Sequence, residues 1–419
     1  MPAETNMRND TCAKVLLLSV GTGEGHNSAA RAIAEVLREK NIECELVDSV
    51  SFKSKRSHGF ITNGYGQIVR GAPWMFGLAY KIGAAYDSTR LPSPIYAYHK
   101  SYADKVYKYL KDGEYNCVIC THLFSMHSVT AIRKQFAPDL PCYGVITDYT
   151  AIPFYRGTAL DAYFVPDDGT RGMLVKKMIP DEKIHTIGIP VSPKFGGGIT
   201  KEEAREKLGI DKDKKVIVVS TGGAGCGKIK QLCKKLDKAL DDGYAVYVFT
   251  GRNIKLKNKI EKAVGKGGKI TPLEFTPDIY LYTKAADLAM GKPGGLSCTE
   301  VAVAGIPLVL LKAIPGCETY NKRYFVNHGM AVYCKTLGKA VKAARRVLSD
   351  AEYAQTMVNN QRKTVNPHTT DEIVEYVLND FNSRMSGATA VAAEEVGCAQ
   401  SEAQVSNDIG MPELTEITV

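Results

Sequence analysis

Three times in this chain a short apolar run passes into a glycine-rich loop and then into a helical pattern, an order that belongs to parallel sheets covered by helices. Near the start, Lys14-Val15-Leu16-Leu17-Leu18-Ser19-Val20 has the continuous apolar character of a buried strand. Gly21-Thr22-Gly23-Glu24-Gly25-His26-Asn27 follows, and Ser28 to Leu37 reads as a helix. In the middle, Val216-Ile217-Val218-Val219-Ser220 leads into Thr221-Gly222-Gly223-Ala224-Gly225-Cys226-Gly227-Lys228. Strands and helices alternate on either side of Phe195-Gly196-Gly197-Gly198, where proline and glycine crowd and a hinge is expected. The fold class is therefore α/β, in two units. Residues 14–195 form the first and 196–366 the second, with an extension over 1–13, a helix over 367–385 and a tail over 386–419. The tail holds six acids and no Lys or Arg, which reads as disorder.

A third glycine loop carries the clearest chemistry. Gly291-Lys292-Pro293-Gly294-Gly295-Leu296-Ser297-Cys298-Thr299-Glu300 follows an apolar run and precedes a helical one from Cys298 to Ala304. A glycine pair at a strand-to-helix turn lets backbone N–H groups approach phosphate oxygens, and the helix start adds a field that favours negative charge. Glu300, about one turn inside, is placed to accept both hydroxyls of a ribose. Read alone, the segment is also a tight turn capped by Ser297 or Thr299.

The other two loops are informative in what they lack. Gly21 and Gly23 fit the first two positions of a dinucleotide fingerprint, and Asp48 sits near its ribose-binding acid. The third position is His26, where close helix–strand packing wants no side chain, so the imidazole is better placed to face a substrate. Gly222 to Lys228 has P-loop spacing, but Ile229 replaces the magnesium-binding hydroxyl. That leaves phosphate binding without nucleotide hydrolysis. Cys117 and Cys120, with His122 and His127, suggest zinc at first sight. Residues three apart in a strand point to opposite faces, however, and no second cysteine pair follows at a usual distance. Eleven cysteines without regular spacing suit free thiols in a reducing compartment.

Gly21-Thr22-Gly23-Glu24-Gly25-His26 resembles the glycine-rich histidine motif of the monogalactosyldiacylglycerol synthases and processive diacylglycerol glucosyltransferases. Thr147-Asp148-Tyr149, Thr186 to Val191, Lys292-Pro293-Gly294-Gly295 through Glu300, and Pro315-Gly316-Cys317-Glu318-Thr319-Tyr320-Asn321 resemble further blocks in the same order, over roughly residues 14 to 380. The lipid-linked peptidoglycan N-acetylglucosaminyltransferases resemble the first and last blocks more distantly. Cys317 departs from the pattern, which usually has a glutamine that reaches the donor sugar.

The resemblance implies two Rossmann-like domains facing a cleft (the GT-B type), with the helix over 367–385 crossing back to the first domain. It implies an inverting transfer of hexose from UDP-glucose or UDP-galactose to diacylglycerol or a glycosyl-diacylglycerol. Alternatives are transfer of N-acetylglucosamine or another sugar to a different lipid, or a UDP-sugar-binding sensor without chemistry. The second domain would hold UDP through Gly222, Gly223, Gly225, Phe275, Thr276, Pro293, Gly294, Gly295, Thr299, Glu300, Glu318 and Asn321. In the first, Gly23, Gly25 and Asn27 form the acceptor or phosphate loop, and His26 is the candidate general base. Asp148 is the second candidate, as base or orienting group. Glycine turns can stabilise departing UDP directly, so no metal or other cofactor is expected.

Residues 51 to 100 hold seven cations against one acid, Asp87, interleaved with aromatic and apolar side chains. Lys53, Lys55, Arg56, Arg70, Trp74 and Phe76 within it suit an anionic membrane surface. The competing reading is a solvated loop packed on its own domain, and no nucleic-acid motif accompanies the patch. No apolar run reaches the roughly 18 residues of a span, and Met1 to Asp10 is polar. The expected location is the cytoplasmic face of the membrane, peripherally bound.

Overall fold

The computed structural model describes residues 12–386, apart from 22–23, 55–58, 60–63, 65–73, 90, 221, 223–226 and 266. Two wholly parallel six-stranded sheets organise them. The first contains β1 (Lys14–Ser19), β2 (Glu43–Asp48), β3 (Cys117–Cys120), β4 (Cys142–Val145), β5 (Ala162–Val165) and β6 (Ile184–Thr186), in the order 2-1-3-4-5-6. The second contains β7 (Lys215–Ser220), β8 (Tyr244–Phe249), β9 (Ile270–Leu273), β10 (Leu288–Gly291), β11 (Leu308–Leu310) and β12 (Val332–Tyr333), in the order 12-11-10-7-8-9. Strand order reverses between β1 and β3 in one sheet and between β7 and β10 in the other. Open parallel sheets bind ligands outside the carboxyl ends of strands at such reversals. The three glycine loops follow β1, β7 and β10, so the topology brings them to those two points.

Five helices position the site: α1 (Glu24–Glu39), α2 (Trp74–Ser88), α3 (Gly295–Val303), α4 (Cys317–Asn327) and α5 (residues 369–386). The apolar period begins at Ser28, but α1 begins at Glu24, an acid suited to a helix start. Gly25, His26 and Asn27 therefore sit in its first turn and not in the preceding loop. Likewise α3 begins at Gly295, three residues before the apolar pattern, with Gly294 at its N-cap and no side-chain cap. Neither Ser297 nor Thr299 caps it.

Inner strands are buried on both faces. Val15 and Leu17 of β1 meet Ile33 and Leu37 of α1 on one face, while Leu16 and Leu18 meet Met126 and Val129 on the other. Cys117 and Cys120 fall on those same opposite faces, and burial pushes both thiols up. The chain returns to this sheet at its end. Ile373, Val374, Val377 and Phe381 of α5 pack beside Ile33 and Leu37, and the Tyr143 hydroxyl donates to Asp380 at 2.6 Å.

Candidate active site

A cavity of about 570 Å³ opens between the carboxyl ends of the two sheets, lined by loops that follow strands of both. On the first-half wall stands His26. Its Nδ1 lies 3.1 Å from the Thr121 carbonyl oxygen and 2.6 Å from Thr147 Oγ1. A carbonyl oxygen only accepts, so Nδ1 carries the proton and Nε2 is left as an acceptor. The His122 ring meets it edge-on, with centroids 4.6 Å apart. Burial lowers the His26 pKa, opposed by the charge of Asp148. Burial raises Asp148 in turn, opposed by His26. Asp148 Oδ1 accepts from Asn321 Nδ2 at 2.7 Å.

The second-half wall begins at the start of α3. A Cβ at Gly295 would lie 2.3 Å from the Thr147 carbonyl oxygen, so only glycine lets the two halves meet here. Gly222, at φ +68°, has Lys292 beside it. Lys292 donates to Glu318 Oε1 at 3.0 Å, and the Ile314 N–H holds Glu318 Oε2 at 2.7 Å. Glu300 lines the same wall, and burial pushes its carboxyl up to about 8 against the opposing Arg31 guanidinium. Phe275 and Thr276 line the cavity beyond β9, with Phe275 half-exposed.

The structure thus gathers His26, Gly25, Asp148, Gly222, Phe275, Thr276, Gly294, Gly295, Glu300 and Glu318 around one space. Pro293, Thr299 and Asn321, expected as donor contacts, stand a layer behind it. Thr299 Oγ1 donates to the Gly295 carbonyl at 2.8 Å and lies 3.0 Å from the Tyr149 hydroxyl. Asn321 is fully buried and engages Asp148, the Tyr149 N–H and the Pro293 carbonyl. These groups join the halves, helped by Tyr149 stacking on Tyr324 at 3.9 Å. Asn27 accepts from Ser19 Oγ at 2.7 Å and does not line the cavity. Gly23, Gly223 and Gly225 lie outside the described residues.

Helix α2 forms part of the rim. Ala79, Tyr80 and Gly83 line the cavity, while Trp74, Met75, Leu78 and Ile82 are exposed, Trp74 by 64%. Lys53 is engaged with its own surface: Nζ donates to Ser101 at 2.6 Å and lies 5.7 Å from the centre of the Tyr98 ring. Lys55, Arg56, Arg70 and the Phe76 side chain lie outside the described residues.

Sequence reasoning missed several groups. Lys292 stands inside the third loop, one residue before its Pro-Gly-Gly turn, and its cationic role needed only the phosphate reading to be noticed. Arg252, just past β8, pairs with Glu24 of α1 at 2.7 Å across the two halves. Only its place at a strand's carboxyl end could have marked it.

Paired α/β sheets with facing switch points around a glycine-walled cleft are the GT-B architecture. The family model for monogalactosyldiacylglycerol (MGDG) synthase matches residues 26–191, and the glycosyltransferase family 28 C-terminal domain matches 216–373. The two follow one another along the chain, with 192–215 between them, and the protein belongs to this glycosyltransferase family. Similar proteins include the processive diacylglycerol beta-glucosyltransferases of Bacillus pumilus (strain SAFR-032) and Bacillus cereus (strain AH187). The first is 24% identical, covering 88% of this chain and 95% of the relative. The second is 25% identical, covering 87% and 93%. Among solved structures, Acinetobacter baumannii MurG is similar at TM-score 0.53 and 15% identity, covering 88% of this chain and 99% of that one. The UDP-GlcNAc 2-epimerase of Neisseria meningitidis, bound to UDP-GlcNAc, reaches 0.55 at 15% identity, covering 87% and 100%. Both share the fold.

Proposed function

We propose that this protein transfers a hexose from UDP-glucose or UDP-galactose to the hydroxyl of diacylglycerol or a glycosyl-diacylglycerol, with inversion at the anomeric carbon. The observation that carries the reading is the disposition of His26, whose acceptor nitrogen stands across one cavity from the α3 start, Lys292 and Glu300. Glu300 receives the ribose hydroxyls, and Phe275 and Thr276 flank the base. The diphosphate lies against the Gly222 and Gly294-Gly295 turns, where Lys292 and the helix start oppose its charge.

The acceptor oxygen attacks the anomeric carbon as His26 Nε2 takes its proton. The bond to UDP breaks with its electron pair on the diphosphate oxygen, and one displacement inverts the centre. Backbone donors and a fixed cation aimed at that oxygen stabilise the charge where it develops, and no metal is required. Asp148 favours the imidazolium that forms.

Among the described residues no helix is long and apolar enough to cross a membrane. The exposed apolar face of α2, continuous with the cavity rim, supports peripheral docking on the bilayer's cytoplasmic face that lets a lipid hydroxyl reach His26. The deciding assay gives the protein UDP-glucose, UDP-galactose and UDP-N-acetylglucosamine separately, with diacylglycerol vesicles. A β-linked glycosyl-diacylglycerol from a hexose donor supports the reading. Nucleotide binding without transfer overturns it in favour of a sensor, and transfer of N-acetylglucosamine alone overturns the hexose assignment.

A further inference from the structure

Beside His26, adjoining the main cavity and sharing part of its wall, lies a second, smaller cavity of about 20 Å³, bounded among others by Thr121, His122, Thr147, Asp148 and Tyr155. A cavity needs roughly 10–15 Å³ in this measure, and two to four polar partners, to hold a water. The volume admits one molecule, and Thr121, His122, Thr147, Asp148, Thr150 and Tyr155 offer it polar partners beside the apolar Leu123, Ile146 and Ile152. Thr121 is 1% exposed, and its hydroxyl has no hydrogen-bond partner within the protein. An orphaned hydroxyl facing nothing would cost about 1–3 kcal/mol. Both contacts of His26 Nδ1, the Thr121 carbonyl and the Thr147 hydroxyl, come from residues that line this chamber. The proton-bearing edge of the ring is therefore on the chamber side.

We propose that the chamber holds one ordered water, anchored by the Thr121 hydroxyl, which joins the Asp148 carboxylate to His26 through Thr147. The Thr147 oxygen accepts from Nδ1–H, and its own proton then points to the water. The water donates to the Asp148 carboxylate, whose Oδ1 already accepts from Asn321. Tyr155, whose phenol burial and the Asp148 charge keep un-ionised, completes the water's shell. No direct hydrogen bond joins Asp148 to His26, so the water carries the orienting contact that a base of this kind needs. Thr121 is then a positioning residue. This rests on the reading of His26 as the base.

The test combines a high-resolution crystal structure with an NMR titration of the His26 ring, neither of which depends on activity. The expected results are one water in the chamber of the parent and its loss in Thr121→Val. In that variant the His26 titration, and the low-pH limb of turnover with it, should move down, because the hydrogen-bonded link that favours the imidazolium is lost while the Asp148 charge stays in place. Turnover should fall while the donor KM holds, and Thr121→Ser should restore all three readings. If Thr121→Val fails to fold, Tyr155→Phe carries the same titration. A dry chamber in the parent overturns the proposal, as does an unchanged titration once the anchoring hydroxyl is removed. If His26→Ala keeps its turnover while the water is present, the base assignment falls and the water site stands.

Discussion

His26 and Glu300 face each other across the cleft with opposite dependence on burial, since burial disfavours the charged form of each. For His26 the neutral form is the working one, and Nδ1 is already committed to Thr121 and Thr147. His26→Ala should lower turnover by about 10²–10⁴-fold, the worth of a positioned base, with UDP affinity unchanged. Turnover per folded molecule, within a few-fold of the parent, would move the base role to Asp148. For Glu300 the charged form is the one that ribose hydroxyls favour, yet burial pushes its free carboxyl up to about 8. Binding must then expel a proton wherever the pH lies below that value. UDP affinity should rise from about pH 7 to about pH 9, by up to about tenfold per unit below the midpoint, and level off above it. Calorimetry on Glu300→Gln should give weaker and pH-independent binding. A slope that survives this substitution belongs to another group.

At the scale of elements, α2 divides its faces between the cavity and the exterior. Leu78→Ser with Ile82→Ser should weaken binding to lipid vesicles by about 2–4 kcal/mol, from the apolar surface withdrawn from the bilayer. Transfer to a water-dispersed short-chain acceptor should persist, and equal losses in both assays would assign these side chains to the fold. Lys53→Ala should matter less, because its ammonium already has Ser101 and Tyr98 as partners. Much of the element order was legible because buried parallel strands are nearly continuous apolar runs, as in Lys14–Ser19 and Lys215–Ser220. β6, β11 and β12 have three, three and two residues, too few for any period to show. The first turn of α1 escaped notice because Glu24, Gly25, His26 and Asn27 present no apolar face. Glu300 and His26 could be named from loop chemistry alone. The joining role of Thr299 and Asn321 could not, since their partners Tyr149 and Asp148 lie some 150 and 173 residues away.

For the whole molecule, the halves meet at Gly295, where no side chain fits. Gly295→Ala should leave both cores folded and cost about 1–3 kcal/mol of stability, the usual toll of overpacking. Turnover should fall further than UDP affinity, because nucleotide contacts belong to one half while transfer needs both. Thermal melting, calorimetry and the transfer assay on one preparation separate these effects, and parallel losses would mean that UDP itself spans the gap. The return of α5 to the first sheet has a consequence for how the protein is made. Val15, Leu17 and Phe164 share a face that α1 covers in part and that Ile373, Val374, Val377 and Phe381 complete. While the chain is being synthesised, the whole second half emerges before that cover exists. The first sheet waits with a partly uncovered greasy flank, a surface of the kind that chaperones hold and that aggregates when left alone. A stop codon before residue 369 would remove neither the cleft nor its base, yet would leave the newborn chain unable to close its first layer.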